Sequence, residues 1–495
     1  MPRSSVIERF RVIYTVWQVP LSEQPRMLVG PVTEVPRQRG SVGGMTFGQL
    51  AAGDQHPGGE RHLDVVRTTG APAEKRSVAS GITWSLLGLM VAALAQWLVI
   101  VLLSRLGTPE MVGQYALGLA VSAPVVLLAS LALRTVQVTD TGRGFDFADY
   151  LRLRVSGMLV ALLLIAVVAA FIGSAHGVVV MLVGIAKAFD AIGDIFFGLF
   201  QRHEQMRPIG ISMISNGVLT VAAMVSLLAL TGSIGWAVVG SVIGSLAGAI
   251  GYCGWAAKRL RGAEPAAIPA EATKASSPRD PWAVLRRMGR LAMVAAPLGF
   301  ASGLVSLSGN LPRYFIGHIL GAAALGIFAA LAYIVLAANI LFAAISQILL
   351  PRLTRLCAAG ELAILTTLTL RLVLGTLALG AVAVAVVIAV GPAAVRFVYG
   401  APYGAHANVL TLLTVAAVLS GAVFFLGTAL SALRRFGNQL TASLVMVAVA
   451  GIAGYVLVPR FGLAGAAWSV VITIGGDSVL KALMLKRALA RRTWI

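Results

Sequence analysis

Three ionisable residues stand inside one apolar run, Lys187, Asp190 and Asp194 in VGIAKAFDAIGDIFFGLFQRHEQM. Their spacings of three and four put all three on one stripe of a helix. Measured from a helix start near residue 177, Lys187 lies about 15 Å along the axis and Asp194 about 26 Å. A charge at the centre of a membrane helix costs ~2.5–3.5 kcal/mol, so a lysine at that depth needs a partner or a polar surrounding. Two readings follow. Either Lys187 and Asp190 form an internal ion pair that ties helices together, or the stripe lines a polar cavity for a charged solute, with Asp190 and Asp194 as ion-coupling groups or charge partners.

Arg134 and Arg313 extend the second reading, because with Lys187 between them they make a stepped cationic path for an anionic headgroup. An arginine fork suits phosphate, although an arginine near a span end also snorkels to the interface. Asn310 lies one turn before Arg313 in a run that also holds Pro297, Gly299, Gly303 and Pro312. Proline removes a backbone hydrogen bond, so this helix is expected to bend as a gate. Asp477 and Lys481 stand in the i, i+4 order that favours pairing. His176, His203, His318 and His406 show no ligand spacing, and the two cysteines, Cys253 and Cys357, make no framework. Neither a metal nor a cofactor is expected. The chain has no phosphate-binding GxxxxGK[ST] loop, no HExxH and no GxSxG, so no enzyme signature is present.

The elements that must carry these residues are helices in lipid. Of the 495 residues 58% are hydrophobic and 12% charged, about half the charge of a soluble domain. Apolar stretches recur at 81–104, 112–134, 153–173, 177–200, 208–230, 234–257, 290–311, 323–350, 364–391, 406–430, 438–458 and 463–487. Each is long enough to cross about 30 Å of hydrocarbon, and lipid offers no backbone partner outside the segment, so they are expected as helices. The class is therefore an all-α polytopic membrane protein with twelve transmembrane helices. On this division 34 of the 39 Lys and Arg residues fall on one side, four on the other, and Lys187 inside a span. The positive-inside bias then puts both termini in the cytoplasm. The same bias explains the net charge of +20 without nucleic acid as a partner.

Residues 1–76 are rich in Gly and Pro and are expected to be a disordered cytoplasmic extension, with Met45 as an alternative start. Residues 258–289 are expected as a cytoplasmic linker between a six-helix lobe at 77–257 and another at 290–487, and 488–495 as a basic cytoplasmic tail. The halves match weakly. Leu106-Gly107 precedes Gly113-Gln-Tyr115-Ala116 as Leu320-Gly321 precedes Gly326-Ile-Phe328-Ala329, and Gly232-x-x-Gly235-x-Ala237 matches Gly462-x-x-Gly465-x-Ala467. Six helices per half make the repeat parallel, with a central cavity between two rocking bundles.

Several segments resemble a known family: LVSLSGNLPRYFIGHILGAAALGIFAALAYI at 304–334, SQILLPRL at 346–353, LASLALRTVQVTD at 128–140 and FDAIGDIFFGLFQRHEQM at 189–206. They are similar to the polysaccharide-biosynthesis exporters of the multidrug, oligosaccharidyl-lipid and polysaccharide superfamily, over roughly residues 77–487. The resemblance implies a Wzx-like flippase of the bacterial inner membrane that moves an undecaprenyl-diphosphate-linked oligosaccharide for lipopolysaccharide, capsule or exopolysaccharide assembly. It implies two lobes around a cationic cavity that exposes its contents to either side in turn. The expected partners are the lipid-linked oligosaccharide, the bilayer and the polymer assembly machinery. A multidrug exporter of the same superfamily is the nearest alternative, and calls for an acidic cavity. An intramembrane glycosyltransferase, polymerase or ligase is the enzyme alternative, and calls for a large outer loop that this chain does not show.

Overall fold

Long apolar runs with only their own carbonyls to bond are helices here too. The structure, a computed structural model, describes residues 71–140, 144–263, 281–433 and 437–490. Residues 1–70, the middle of the expected linker at 264–280, and the tail from 491 lie outside the described residues. No strand occurs among the described residues.

The first set of helices comprises α1 (Ala71–Leu106), α2 (Pro109–Ser130), the short α3 (Leu133–Thr139), α4 (Phe147–Ile172), α5 (Ser174–Arg202), α6 (Arg207–Thr231), α7 (Ile234–Ser245) and α8 (Cys253–Ala263). The second comprises α9 (Pro281–Ile319), α10 (Gly321–Leu331), α11 (Tyr333–Ala358), α12 (Leu362–Tyr399), the single turn α13 (Ala401–Gly404), α14 (Ala407–Ala432) and α15 (Gly437–Ala490). Local chemistry sets several ends. Thr108 caps α2 by accepting from the Met111 amide at 3.3 Å, with Pro109 in the first turn. Gly232, at φ 64°, closes α6 in a left-handed turn.

Ten described helices are long and apolar enough to cross a membrane. The ten do not include α5, which carries Lys187, Asp190, Asp194 and Arg202, and they take α15 as one span although it bends at Gly462 (φ 57°, ψ −133°). Twelve crossings follow if α5 crosses and α15 crosses twice. Three boundaries differ from expectation. Residues 71–76 already belong to α1, and the expected linker is helical at both described ends, 258–263 and 281–289. Those ends continue apolar helices, so hydrogen bonding propagates into the polar flank at little cost. The second expected span breaks at Leu131 and Ala132, both left-handed at φ 50° and 48°.

The two sets repeat one packing scheme. In the first, α1 lies against α6, and both α2 and α4 lie against α5. In the second, α9 lies against α15, and both α11 and α12 lie against α14. Contacts between the sets run chiefly from α2 to α9 and α10. There the repeat glycines meet reciprocally. A Cβ on Gly113 would fall on the carbonyl of Ala322, and one on Gly326 on the carbonyl of Pro109. Because 113 to 326 and 109 to 322 are the same offset, the crossing obeys a local two-fold. Gly113→Val or Gly326→Val is expected to force the helices apart and lower the melting temperature in detergent by several degrees, as overpacking costs ~1–3 kcal/mol or more. Gly375→Ala, where an added Cβ meets nothing within 4 Å, is the control and should not lower it, since alanine is the better helix former.

The same end of the molecule is tied at a second place. The Arg105 guanidinium donates to the carbonyls of Val398, at 2.9 Å, and Phe397. Trp97 Nε1 donates to the Tyr399 hydroxyl at 2.9 Å. These contacts join α1 to the end of α12.

Candidate functional site

A cavity of about 580 Å³ lies between the two sets of helices. Its wall includes Arg134, Lys187, Asp190, Asp194, Asn310 and Arg313, six residues chosen on sequence for charge, or for standing beside it. It also includes Arg154, which spacing did not single out.

At one end of the cavity the break after α2 turns α3 so that Arg134 faces α5. Arg134 Nη1 lies 2.7 Å from Asp194 Oδ1, its Nε donates to Gln201 Oε1 at 3.0 Å, and its guanidinium stands over the Phe197 ring at 5.4 Å. Arg154 Nη2 approaches the other Asp194 oxygen at 3.5 Å, and its side chain is only 2% exposed. One carboxylate therefore bridges two arginines. Arg154 Nε is buried without a partner, so this guanidinium holds an unused donor beside the cavity. The left-handed pair Leu131 and Ala132 costs roughly 1–2 kcal/mol per residue, and α9 clasps it. A Cβ on Gly299 would come 2.5 Å from the Leu131 Cα, and one on Gly303 2.7 Å from the Leu128 Cγ. Those two glycines let α9 lie close against the break. The helix α9 runs from Pro281 to Ile319 through both Pro297 and Pro312.

Midway along α5, Lys187 Nζ lies 2.9 Å from Asp190 Oδ2. Asn216 Nδ2 donates to the second Asp190 oxygen at 2.9 Å, and Thr220 Oγ1 to Asn216 Oδ1 at 3.2 Å. A π-helical segment, Leu246–Tyr252, follows α7 and packs Gly248 against Asn216, with the Gly248 carbonyl accepting from Ser212 Oγ at 2.9 Å. The segment packs on both α5 and α6, the two helices whose Asp190 and Asn216 side chains meet.

Opposite, Arg313 Nη1 donates to Asn310 Oδ1 at 2.7 Å, and Asn310 Nδ2 to the Ser306 carbonyl at 2.8 Å. Among the described residues no carboxylate pairs with Arg313. Tyr333, also in the wall, donates to the Gln96 carbonyl at 3.2 Å. Asp477 is not in this cavity. Its carboxylate lies 2.8 Å from Lys481 Nζ in a second cavity of about 630 Å³ within the second set. No cluster of three or more His, Cys, Asp or Glu able to hold a metal occurs among the described residues.

The first cavity's wall thus carries four basic and two acidic side chains, a surplus of two positive charges. The chemistry of such a wall is suited to an anion: arginine guanidinia are forks for charge-assisted hydrogen bonds and a lysine is a point charge.

Residues 78–357 match the model of a family described as polysaccharide biosynthesis protein. The capsular polysaccharide biosynthesis protein CapF of Staphylococcus aureus is 24% identical over 384 residues, which is 78% of this chain and 93% of that protein. Among solved structures, an inward-facing multidrug resistance MATE family transporter of the MOP superfamily aligns with a TM-score of 0.61 at 14% identity, covering 83% of this chain and all of that one. The lipid II flippase MurJ in an inward closed conformation aligns at 0.60 and 10% identity, covering 82% and 87%. At these identities the structural likeness is one of fold.

Proposed function

The chain belongs to the polysaccharide biosynthesis protein family and is a multi-pass membrane transporter of all-helical fold, and we propose that its cargo is a lipid-diphosphate-linked oligosaccharide of the undecaprenyl type. The observation that carries this reading is the surplus of two positive charges in the cavity between the helix sets. A diphosphate esterified at both ends carries about two negative charges, and an unpaired anion in a low-dielectric layer costs several kcal/mol even after relaxation. The cavity supplies the matching countercharge. A cavity for cationic drugs calls for the opposite sign.

In this reading the protein sits in the bacterial inner membrane with both termini cytoplasmic, and residues 77–257 and 290–487 are two six-helix lobes. The contacts of Gly113 with Gly326 and of Arg105 with α12 then close the outer face. Arg134 and Arg154 receive the diphosphate from the cytoplasmic side, Lys187 holds it midway, and Arg313 with Asn310 releases it outward. Asp190 and Asp194 keep the cations charged and oriented while the cavity is empty. The long helix α9, with Pro297, Gly299, Gly303 and Pro312, is the gate that moves when the lobes rock. The polymer assembly machinery takes the delivered oligosaccharide, and the step involves no cofactor and no bond making.

Deleting the protein in its host should accumulate lipid-linked oligosaccharide on the inner leaflet, identified by mass spectrometry, and the wild-type chain should clear it. An unchanged leaflet distribution would contradict the proposal.

A further inference from the structure

The second cavity, of about 630 Å³, lies among α9, α11, α14 and α15, and its wall shares Arg313, Ala332 and Leu336 with the first. Its volume falls in the range of small-molecule sites, about 300–1,000 Å³. Its chemistry differs from the first cavity's. The Asp477 carboxylate is neutralised by Lys481 at 2.8 Å, so apart from Arg313 at the shared wall the lining carries no net charge.

Two polar atoms in this wall are buried without a partner: Ser346 Oγ, on a residue 8% exposed, and Asn339 Oδ1. Buried groups of this kind ordinarily find a hydrogen bond, and these two border the cavity. Four further hydroxyls of the wall have already spent their protons on their own helices. Ser308 donates to the Val305 carbonyl at 2.9 Å, Ser420 to Ala417 at 2.6 Å, Thr428 to Phe424 at 2.8 Å and Thr473 to Ser469 at 2.7 Å. What they still offer is lone pairs. The wall also donates, through the Ser346 hydroxyl, the Asn339 and Gln347 amides and the Lys481 ammonium, so it offers both donors and acceptors. It suits a neutral ligand dense in hydroxyls, which both donate and accept, and Phe424 in the same wall adds apolar aromatic surface for the carbon side of a sugar ring.

We propose that this second cavity is a carbohydrate subsite, which seats the first sugars of the cargo while the first cavity holds the diphosphate, with Arg313 at the junction. The proposal rests on the transport reading above and adds to it where the glycan sits. The first cavity has the larger surplus of positive charge, and Asp477 already occupies Lys481 in the second, so the charged and neutral parts of one amphiphile sort themselves between adjoining cavities. Because Arg313, Ala332 and Leu336 line both cavities, a diphosphate held at Arg313 puts its attached ring beside the second.

The test compares two probes on the purified full chain in nanodiscs: undecaprenyl diphosphate, and the oligosaccharide-bearing lipid extracted from the export-deficient host. The wild type should bind the second more tightly, by about tenfold, the equivalent of one or two hydrogen bonds. Asn339→Leu with Ser346→Ala should erase that preference and leave the affinity for bare undecaprenyl diphosphate unchanged. Gly427→Leu provides an independent arm. A Cβ there meets only the Lys481 tip, at 4.0 Å, so the larger side chain fills the cavity without striking backbone, and it should cause the same selective loss. Wild-type preference retained in both variants overturns the subsite and leaves the diphosphate reading standing. A wild type that binds neither lipid overturns both.

Discussion

Arg313→Ala is expected to lower transport about 10- to 100-fold while membrane abundance stays at the wild-type level. Arg313 has no carboxylate partner among the described residues, and its one side-chain hydrogen bond goes to Asn310 three residues earlier. Its removal therefore orphans no buried acid, and the insertion cost of the helix falls if anything. What is lost is a guanidinium fork on the wall of both cavities. Hydrogen bonds to charged groups contribute about 1.5–3 kcal/mol each, which sets the range. Arg313→Lys should keep part of the activity, because it restores charge without the fork. Transport of radiolabelled lipid-linked oligosaccharide, normalised to the amount of protein by immunoblot, checks this. Wild-type transport by the alanine variant would remove Arg313 from the substrate path.

The second large effect is expected at Lys187. Lys187→Ala should lower transport by an order of magnitude or more. The variant leaves Asp190 held by Asn216 alone and halves the cavity's surplus charge. Breaking a fully buried pair costs ~3–5 kcal/mol. Here the side chains are 33% and 29% exposed, so the loss of stability should be well below that and abundance should fall modestly. Asp190→Asn should weaken transport less, since Lys187 remains to meet the diphosphate. The double variant, Lys187→Ala with Asp190→Ala, separates the two readings of this pair. It restores the surplus of two positive charges without restoring the ammonium, so a substrate contact predicts that it stays defective. A pair that only ties helices together predicts recovery of both abundance and export, and full export by the double variant would end the contact reading.

The spans and the charged stripe of α5 are legible in the sequence for one reason. Lipid makes each apolar run bond to itself, and a lysine among aliphatic residues stands out against that background. The partners of the charges are a different matter. Arg154 sits near the start of its span and counts as one more inner-side base, yet its side chain is 2% exposed and shares Asp194 with Arg134. Nothing within one helix announces a pairing between residues 134, 154 and 194. The break at Leu131 and Ala132 has no Gly, Pro or Asn to mark it, because α9 packs on it from outside through Gly299 and Gly303. Gly113 and Gly326 appear as a weak repeat in the sequence. Their reciprocal contact belongs to the packing of one half on the other, which no local pattern carries.

The proposed step is the passage of a lipid-linked diphosphate sugar through this cavity across the bilayer. The most direct measurement places the purified chain in proteoliposomes with labelled undecaprenyl-diphosphate oligosaccharide in one leaflet, and follows the fraction that an impermeant glycosidase on the other side can reach. A protein-dependent rise is expected, and Arg313→Ala and Lys187→Ala should both suppress it. A wild-type chain that leaves the oligosaccharide in its original leaflet while expelling a cationic dye would contradict it.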